Sequence, residues 1–299
     1  MALAEKGPVY MSRKIVKAIG TLFGLVKFEH TLFALPFAFM GTFLASGGWP
    51  SGHVVLWVSL AMVGARTSAM ALNRLIDREI DARNPRTAGR HLPRGVISPA
   101  QVVVLAALAL ALLLFAAGKL NPLALALSPL AVVMIVVYPY TKRFTWLSHV
   151  LLGMVLGSAP VGGWIAVTGR WAWSPLFLSA GVTLWTAGFD IIYACDDYEF
   201  DRREGLYSIP AVFGIPAGLV TARVFHAVAL ALFAGAGYLA GLAAVYQVGV
   251  IVAGVLMWYE HSLVSPTDLS RAGVAFFNVN AAVSAVLFFF GVAGVFWPH

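Results

Sequence analysis

Nine of the chain's 13 acidic residues fall in two short stretches, residues 73–81 and 190–204. The first reads Asn73-Arg-Leu-Ile-Asp77-Arg-Glu-Ile-Asp81, and the second opens Asp190-Ile-Ile-Tyr193-Ala-Cys-Asp196-Asp197-Tyr-Glu-Phe-Asp201. Residues four apart lie on one face of a helix. Asn73, Asp77 and Asp81 therefore make one polar stripe, and Asp190, Tyr193, Asp197 and Asp201 make another. Carboxylates stacked at this spacing repel each other unless a cation lies between them. A hard cation such as Mg²⁺ takes oxygen ligands, uses few protein carboxylates and completes its shell with water and substrate phosphate. Two facing stripes can hold Mg²⁺ ions that grip a diphosphate. A lone aspartate would read as a solvated helix end; the repeated spacing argues for metal.

Basic residues near the stripes supply the anion-binding half of such a site. Arg66 lies seven residues before Asn73, two turns further along the same helix face. An arginine that deep in an apolar helix is costly and marks a functional position by default. After Asp81 comes the turn-rich run Asn84-Pro-Arg86-Thr-Ala-Gly-Arg90-His-Leu-Pro-Arg94-Gly95, and further on Tyr138-Pro-Tyr-Thr-Lys142-Arg143. Arginine matches a planar carboxylate with two parallel hydrogen bonds, whereas lysine acts on phosphate as a point charge.

The elements that position these groups follow from composition. Sixty per cent of the 299 residues are hydrophobic, 11% are charged and the mean hydropathy is +0.85. A soluble domain holds about 45–50% apolar and about 25% charged residues, so this chain is expected to be an all-α polytopic membrane protein. Runs such as Val102–Ala117 and Ala281–Val295 approach the roughly 20 residues a helix needs to cross a bilayer. Hydropathy and Pro/Gly breaks (Gly47-Gly48-Trp49-Pro50, Ser98-Pro99, Asn121-Pro122, Tyr138-Pro139) predict nine spans in a single domain over 1–299. They lie near 25–46, 54–76, 100–118, 121–138, 148–168, 175–196, 214–237, 241–259 and 273–296.

Orientation follows from Lys and Arg. Lys6, Arg13, Lys14, Lys17 and Lys27 precede or open the first span; Arg78, Arg83, Arg86, Arg90 and Arg94 follow the second; Lys142 and Arg143 the fourth; Arg202 and Arg203 the sixth. The opposite loops carry only Lys119 and Arg170. The N-terminus and both acidic ends are expected on the cytoplasmic side of a bacterial-type inner membrane, and the net charge of +7 is largely this topology signal. The first ~20 residues are basic without an apolar core and cleavage site behind them, so no removable signal peptide is expected. The single cysteine, Cys195, excludes an intramolecular disulfide, and no histidine stands at metal-ligand spacing to another. No nucleic-acid motif is present, and nothing calls for an obligate protein partner.

At these residues the sequence resembles the UbiA superfamily of intramembrane prenyltransferases. The family pattern is N-x-x-x-D-x-x-x-D after the second helix and D-x-x-Y-x-x-x-D-x-x-x-D after the sixth; Asn73, Asp77 and Asp81 match the first, and Asp190, Tyr193, Asp197 and Asp201 the second. The Arg66 spacing, Arg90-x-Leu-Pro-x-Gly and Tyr-Pro-x-x-Lys142-Arg143 also look like that family. The resemblance implies a helical bundle around a central chamber, open to the lipid bilayer, where a polyprenyl diphosphate reacts with an aromatic acid. Asn73, Asp77, Asp197 and Asp201 are then the leading Mg²⁺ ligands, with Asp81 completing the first stripe. Arg66, Arg90 and Lys142 are candidates for the diphosphate oxygens and Arg143 for the acceptor's carboxylate. Asp190, beside Tyr193, could polarise the acceptor's hydroxyl or take the ring proton. An internal pseudo-repeat of about four helices per half, with a ninth added, is expected.

Two branches share these features, the 4-hydroxybenzoate polyprenyltransferases of ubiquinone synthesis and the futalosine-route enzymes of menaquinone synthesis. The segments Lys27-Phe-Glu29-His30-Thr-Leu-Phe-Ala-Leu-Pro36, Asp190-Ile-Ile-Tyr-Ala-Cys and Glu204-Gly-Leu-Tyr-Ser-Ile-Pro210 look more like the second. The acceptor thus stays open between a hydroxybenzoate and a naphthoate acid. A transporter would place its ionisable groups near the bilayer midplane, and here they cluster at helix ends. A CDP-alcohol phosphotransferase would need a D-G-x-x-A-R motif, which is absent.

Overall fold

With no water in the bilayer core, an apolar chain must close its backbone hydrogen bonds internally, which selects helices. The computed structural model describes residues 33–242 and 244–297. Lys6, Arg13, Lys14, Lys17, Lys27, the signal-peptide expectation, the segment from Lys27 to Leu32 and the start of the first span lie outside the described residues. The helices are α1 (Leu35–Ser46), α2 (Gly52–Ile76), α3 (Arg78–Arg83), α4 (Pro99–Leu120), α5 (Pro122–Thr141), α6 (Ser148–Thr168), α7 (Trp173–Ala194), α8 (Tyr198–Glu204), α9 (Ile209–Phe213), α10 (Ile215–Leu239), α11 (Ala244–Ser262) and α12 (Asn280–Phe296). Among the described residues, seven helical segments are long and apolar enough to cross a membrane, and α1 and α11 bring the bundle to nine.

Three of the four breaks fall where the punctuation put them; at Tyr138-Pro139 the helix instead runs on to Thr141 with Pro139 inside it. Ser98 caps α4 in a reciprocal box with Gln101, and Asn121, the single residue between α4 and α5, accepts from the Ala124 amide at 2.9 Å. Pro99 and Pro122 occupy the first helical turn, where a missing N–H costs nothing. The short helices α3, α8 and α9 carry too little hydrophobic period to be seen as spans. They all sit at the acidic end of the bundle.

Helices α2, α4 and α5 pack on one another, α5 meets α6, and α6 leads on through α7, α10 and α11 to α12, which returns to α1. Small residues let backbones approach where the site needs it. A Cβ added at Gly153 or Gly157 of α6 would run into Thr183 of α7, and this close pairing brings the start of α6 against α7. The largest buried cluster includes Trp185, Phe189, Phe233 and Tyr246. Outward-facing Leu108, Phe115, Leu130, Ile251 and Trp258 suit lipid. Trp49, Trp171, Trp173 and Trp297 are exposed at the end opposite the acids, as an interfacial aromatic belt requires.

One expectation needs refinement. The acidic stripes do not run along unbroken helices. Asp77 ends α2 and precedes α3 with φ −91° and ψ 5°, and Asp197 precedes α8 with φ −98° and ψ 7°. Both lie in the bridge region that active-site residues often occupy. Asp77 and Asp197, at matching positions of the two motifs, thus sit on bends of matching geometry. Neither bend has a Gly, a Pro or a side-chain cap; contacts from neighbouring segments hold them.

Candidate active site

The two bends open onto a cavity of about 240 Å³ at the acidic end. Its wall includes Asn73, Asp77, Asp81, Arg90, Lys142, Asp190, Tyr193, Asp197 and Asp201. Sequence separation is no guide here; the bundle brings these residues together. Arg66 and Arg143 are not among the lining residues.

Each of the central carboxylates faces a cation of the chain. Asp77, 3% exposed, accepts from Lys142 Nζ at 2.7 Å, from Arg143 Nη2 at 3.1 Å and from Asn73 Nδ2 at 3.3 Å. Arg143 also donates to the carbonyls of Pro139 (2.8 Å) and Ile76 (2.9 Å), so its fork braces the end of α2 against α5. Asp81, 4% exposed, accepts from Arg90 Nη1 at 2.6 and 2.7 Å, with Arg74 Nη1 4.0 Å away. Asp197 accepts from Asn84 Nδ2 at 2.9 Å and Arg86 Nε at 3.0 Å, and Arg86 also donates to its other oxygen and to the Tyr193 hydroxyl. Burial works against the charge on Arg86, yet its hydrogen bonds and Coulomb attraction to Asp197 outweigh this and raise its pKa above the ordinary arginine value.

Local folding explains how the basic loop delivers these groups. Leu92 and Ile97 are buried against Ala71, Val102 and Ala106, and Gly95 takes the left-handed turn (φ 66°) that lets the chain reverse toward α4. Pinned there, the loop reaches from the first acidic stretch across to the second. On the far wall, Ser208 Oγ donates to Asp201 Oδ2 at 3.0 Å while capping α9. The Tyr207 amide donates to the Lys142 carbonyl at 2.7 Å, joining the 205–208 segment to the end of α5.

Asp190 has a partner that sequence reasoning did not find. The Ile209 amide can only donate, and it does so to His149 Nε2 at 3.3 Å. Nδ1 therefore carries the proton of the neutral ring and donates to Asp190 Oδ2 at 2.8 Å. His149 is 3% exposed and itself lines the cavity beside Asp190, so the pair is held within the wall. Asn84, Arg86 and Ser208 were likewise missed as ligands of the acidic residues. Arg86 stood in the quoted basic run, but no spacing rule separates it from Arg90 and Arg94; its role comes from a contact 111 residues away.

The donor set can be tested against a metal. Among the described residues, no three His, Cys, Asp or Glu side chains converge as a metal cage. A dedicated protein cage is therefore a poor description. Mg²⁺ binds through one or two carboxylates and leaves its other positions to water and phosphate, and side-chain oxygens on two sides of one cavity fit that demand. Arg86, Arg90 and Lys142 supply the charge a diphosphate would need.

The profile described as the UbiA prenyltransferase family matches residues 34–296. A 4-hydroxybenzoate octaprenyltransferase of Shewanella sediminis (strain HAW-EB3) is 31% identical over 98% of this chain and 99% of its own length. The protein of the same description from Aeromonas salmonicida (strain A449) is 32% identical over 94% of each chain. Among solved structures, the apo form of a UbiA homolog from Aeropyrum pernix K1 is similar with a TM-score of 0.80 at 36% identity, covering 89% of this chain and 97% of that one. A UbiA homolog from Archaeoglobus fulgidus, solved bound to GPP and Mg²⁺, shares the fold with a TM-score of 0.75 at 22% identity over 93% and 100% of the two chains.

Proposed function

The chain belongs to the UbiA prenyltransferase family, and on that premise we propose that it transfers a polyprenyl group from a polyprenyl diphosphate to a small aromatic acid of the 4-hydroxybenzoate type, with Mg²⁺, in respiratory quinone synthesis. The observation that carries this reading is the single cavity in which two carboxylate walls meet Arg86, Arg90 and Lys142 at one end of a lipid-facing bundle. Asn73, Asp77, Asp81, Asp197 and Asp201 would hold Mg²⁺. The metal, when bound, would neutralise charge developing on the leaving diphosphate. Arg90 and Lys142 add fixed positive charge at the same oxygens, where preorganised groups act most strongly. The allylic C–O bond breaks, the ring carbon beside the acceptor's hydroxyl bonds to the allylic carbon, and Asp190 takes the ring proton. Closing the site to water would protect the allylic cation from hydrolysis.

Two guanidinium groups compete for the acceptor's carboxylate. Arg143 has the right chemistry, but its donors already serve Asp77, Ile76 and Pro139. Arg66 keeps a buried Nε with no hydrogen-bond partner and lies within electrostatic reach of Tyr138, which lines the cavity. Neither group lines the cavity; Arg66 is favoured because it has a donor to spare, and the acceptor's carboxylate would have to reach it past Tyr138. Arg66→Ala is expected to raise KM for the aromatic acid roughly tenfold or more, the worth of a hydrogen bond to a charged group, while Arg143→Ala lowers kcat with both substrates by releasing Asp77. Steady-state kinetics with each substrate varied in turn decides between them; a raised KM for the acid in Arg143→Ala alone would restore Arg143 to that role.

The segment Glu204–Pro210, which resembles the futalosine-route enzymes, contributes Leu206, Tyr207 and Ser208 to the cavity wall. That observation keeps a naphthoate acceptor as the second reading. Purified protein with Mg²⁺ and labelled geranyl diphosphate, offered 4-hydroxybenzoate beside naphthoate acids, should prenylate the hydroxybenzoate. Prenylation of a naphthoate alone selects the second reading, and no transfer to any acceptor rejects both.

The acidic end is proposed to face the cytoplasm. In a Cys195→Ser background, a cysteine at position 170 should be labelled only from the opposite side. Labelling from the cytoplasmic side would invert the topology.

A further inference from the structure

Away from the cavity, a second polar cluster is buried between α7, α10, α11 and the chain leading into α12. Glu260 and Asn280 are 0% exposed, and an ionisable group in such a place asks for a reason. The orientation of Asn280 is fixed by its neighbours. The Trp185 indole can only donate, and it does so to Asn280 Oδ1 at 2.7 Å. Asn280 Nδ2 then donates to Glu260 Oε1 at 2.7 Å and to the carbonyls of Ala275 (3.0 Å) and Phe276 (3.2 Å). His226 Nε2 donates to the Trp185 carbonyl at 3.1 Å, and its Nδ1 accepts from His261 Nε2 at 3.0 Å.

The two carbonyls belong to a π-helical turn, Ala275–Val279, directly before α12. A π turn holds one residue too many for the α ladder, so its carbonyls gain from an outside donor, and such turns cluster at functional sites. This one carries Phe276. Its ring stacks on Tyr193 with centroids 4.2 Å apart and 27° between planes, and meets Phe189 edge-on at 5.4 Å. Tyr193 in turn accepts from Arg86, the residue that holds Asp197. Asn280 therefore ties α7, at Trp185, to the π turn that backs the cavity wall.

We propose that Asn280, steadied by Glu260, is a positioning residue: it fixes the π turn so that Phe276 stands behind Tyr193 and keeps the Tyr193–Arg86–Asp197 wall in register. For its activity readout this inference rests on the prenyl transfer proposed above. Asn280→Leu and Glu260→Leu lower kcat about 10–100-fold, the range for slight misplacement of reacting groups. Glu260→Gln, whose amide oxygen still accepts from Asn280, keeps wild-type turnover. Phe276→Leu reproduces the loss, and adding Asn280→Leu to it causes no further drop, because both act through one ring.

The test uses the full chain in detergent or nanodiscs, with kinetics of these variants and hydrogen exchange over residues 190–198. Losses that multiply in the double variant make Asn280 a stability element only and overturn the proposal, as does wild-type turnover in Glu260→Leu. Exchange over 190–198 is expected to quicken in Asn280→Leu and Glu260→Leu; unchanged exchange overturns the proposal whatever the activity. Should Asn280→Leu fail to fold, the Glu260 pair and Phe276→Leu carry the test. A wild type inactive with every acceptor would reject the prenyl-transfer reading, while the exchange data would still decide this one.

Discussion

Replacing Asp77 or Asp197 by asparagine is expected to cut turnover about 10²–10³-fold, the usual cost of removing one charge-stabilising group from an active site. The two residues sit on the matching bends, and each anchors a separate cation set: Lys142 and Arg143 at Asp77, Arg86 at Asp197. Asparagine preserves volume and one acceptor, so the loss reports charge rather than a hole. Stability is a real concern, since stranding a charge in a fully buried pair costs roughly 3–5 kcal/mol. Here the penalty is smaller, because the Lys142 and Arg143 side chains keep 30% and 32% of their exposure and water can take over. The check is turnover in saturating Mg²⁺ beside a thermal melt. Near-normal turnover in either variant would mean that the metal is held elsewhere.

Asp190→Asn should be comparably severe, about 10²–10⁴-fold in kcat, the range for a lost general base. His149 gives this expectation its second arm. Because His149 Nδ1–H holds Asp190 Oδ2 and its Nε2 is held by the Ile209 amide, the carboxylate is aimed by a fixed ring. His149→Leu should lower kcat by less than Asp190→Asn, since the base survives and only its aim is lost. Acceptor deuterated at the attacked ring carbon separates proton removal from ring orientation. In Asp190→Asn, proton removal becomes slow and a primary isotope effect on kcat appears. If deuterium changes nothing there, the ring proton goes to another group, and Asp190 is left with orienting the acceptor.

How much of this was legible depends on the range of each interaction. Spans are set by local hydropathy, so Pro99 and Pro122 marked helix starts that the structure keeps. The carboxylate motifs were legible because i,i+4 spacing is itself a local geometric rule. The bends at Asp77 and Asp197 were not, because no Gly or Pro announces them and the partners that hold them come from α5 and the loop after α3. His149 was invisible for the same reason. Its meaning depends on Asp190, 41 residues away, and on the close approach of α6 to α7. Arg143 shows the converse case. Its chemistry suited a carboxylate, and the carboxylate it meets is the protein's own Asp77.

Those internal ion pairs give the site a logic. With Lys142 and Arg143 on Asp77, Arg90 on Asp81 and Arg86 on Asp197, loading of the proposed metal and diphosphate would be an exchange of partners and not an addition to vacant seats. A divalent ion offered alone must evict a cation and leave it without an anion; a diphosphate offered alone must draw cations away and leave carboxylates bare. Offered together, each ligand supplies what the other displaces. The coupling is the same read from either side, because linkage between two ligands is reciprocal. On the proposed reaction, the cavity would act as an AND gate, indifferent to cellular magnesium or stray anions singly and responsive to the pair. The same gate would favour departure as a pair, since Arg86 and Lys142 would regain their own carboxylates only when both have left.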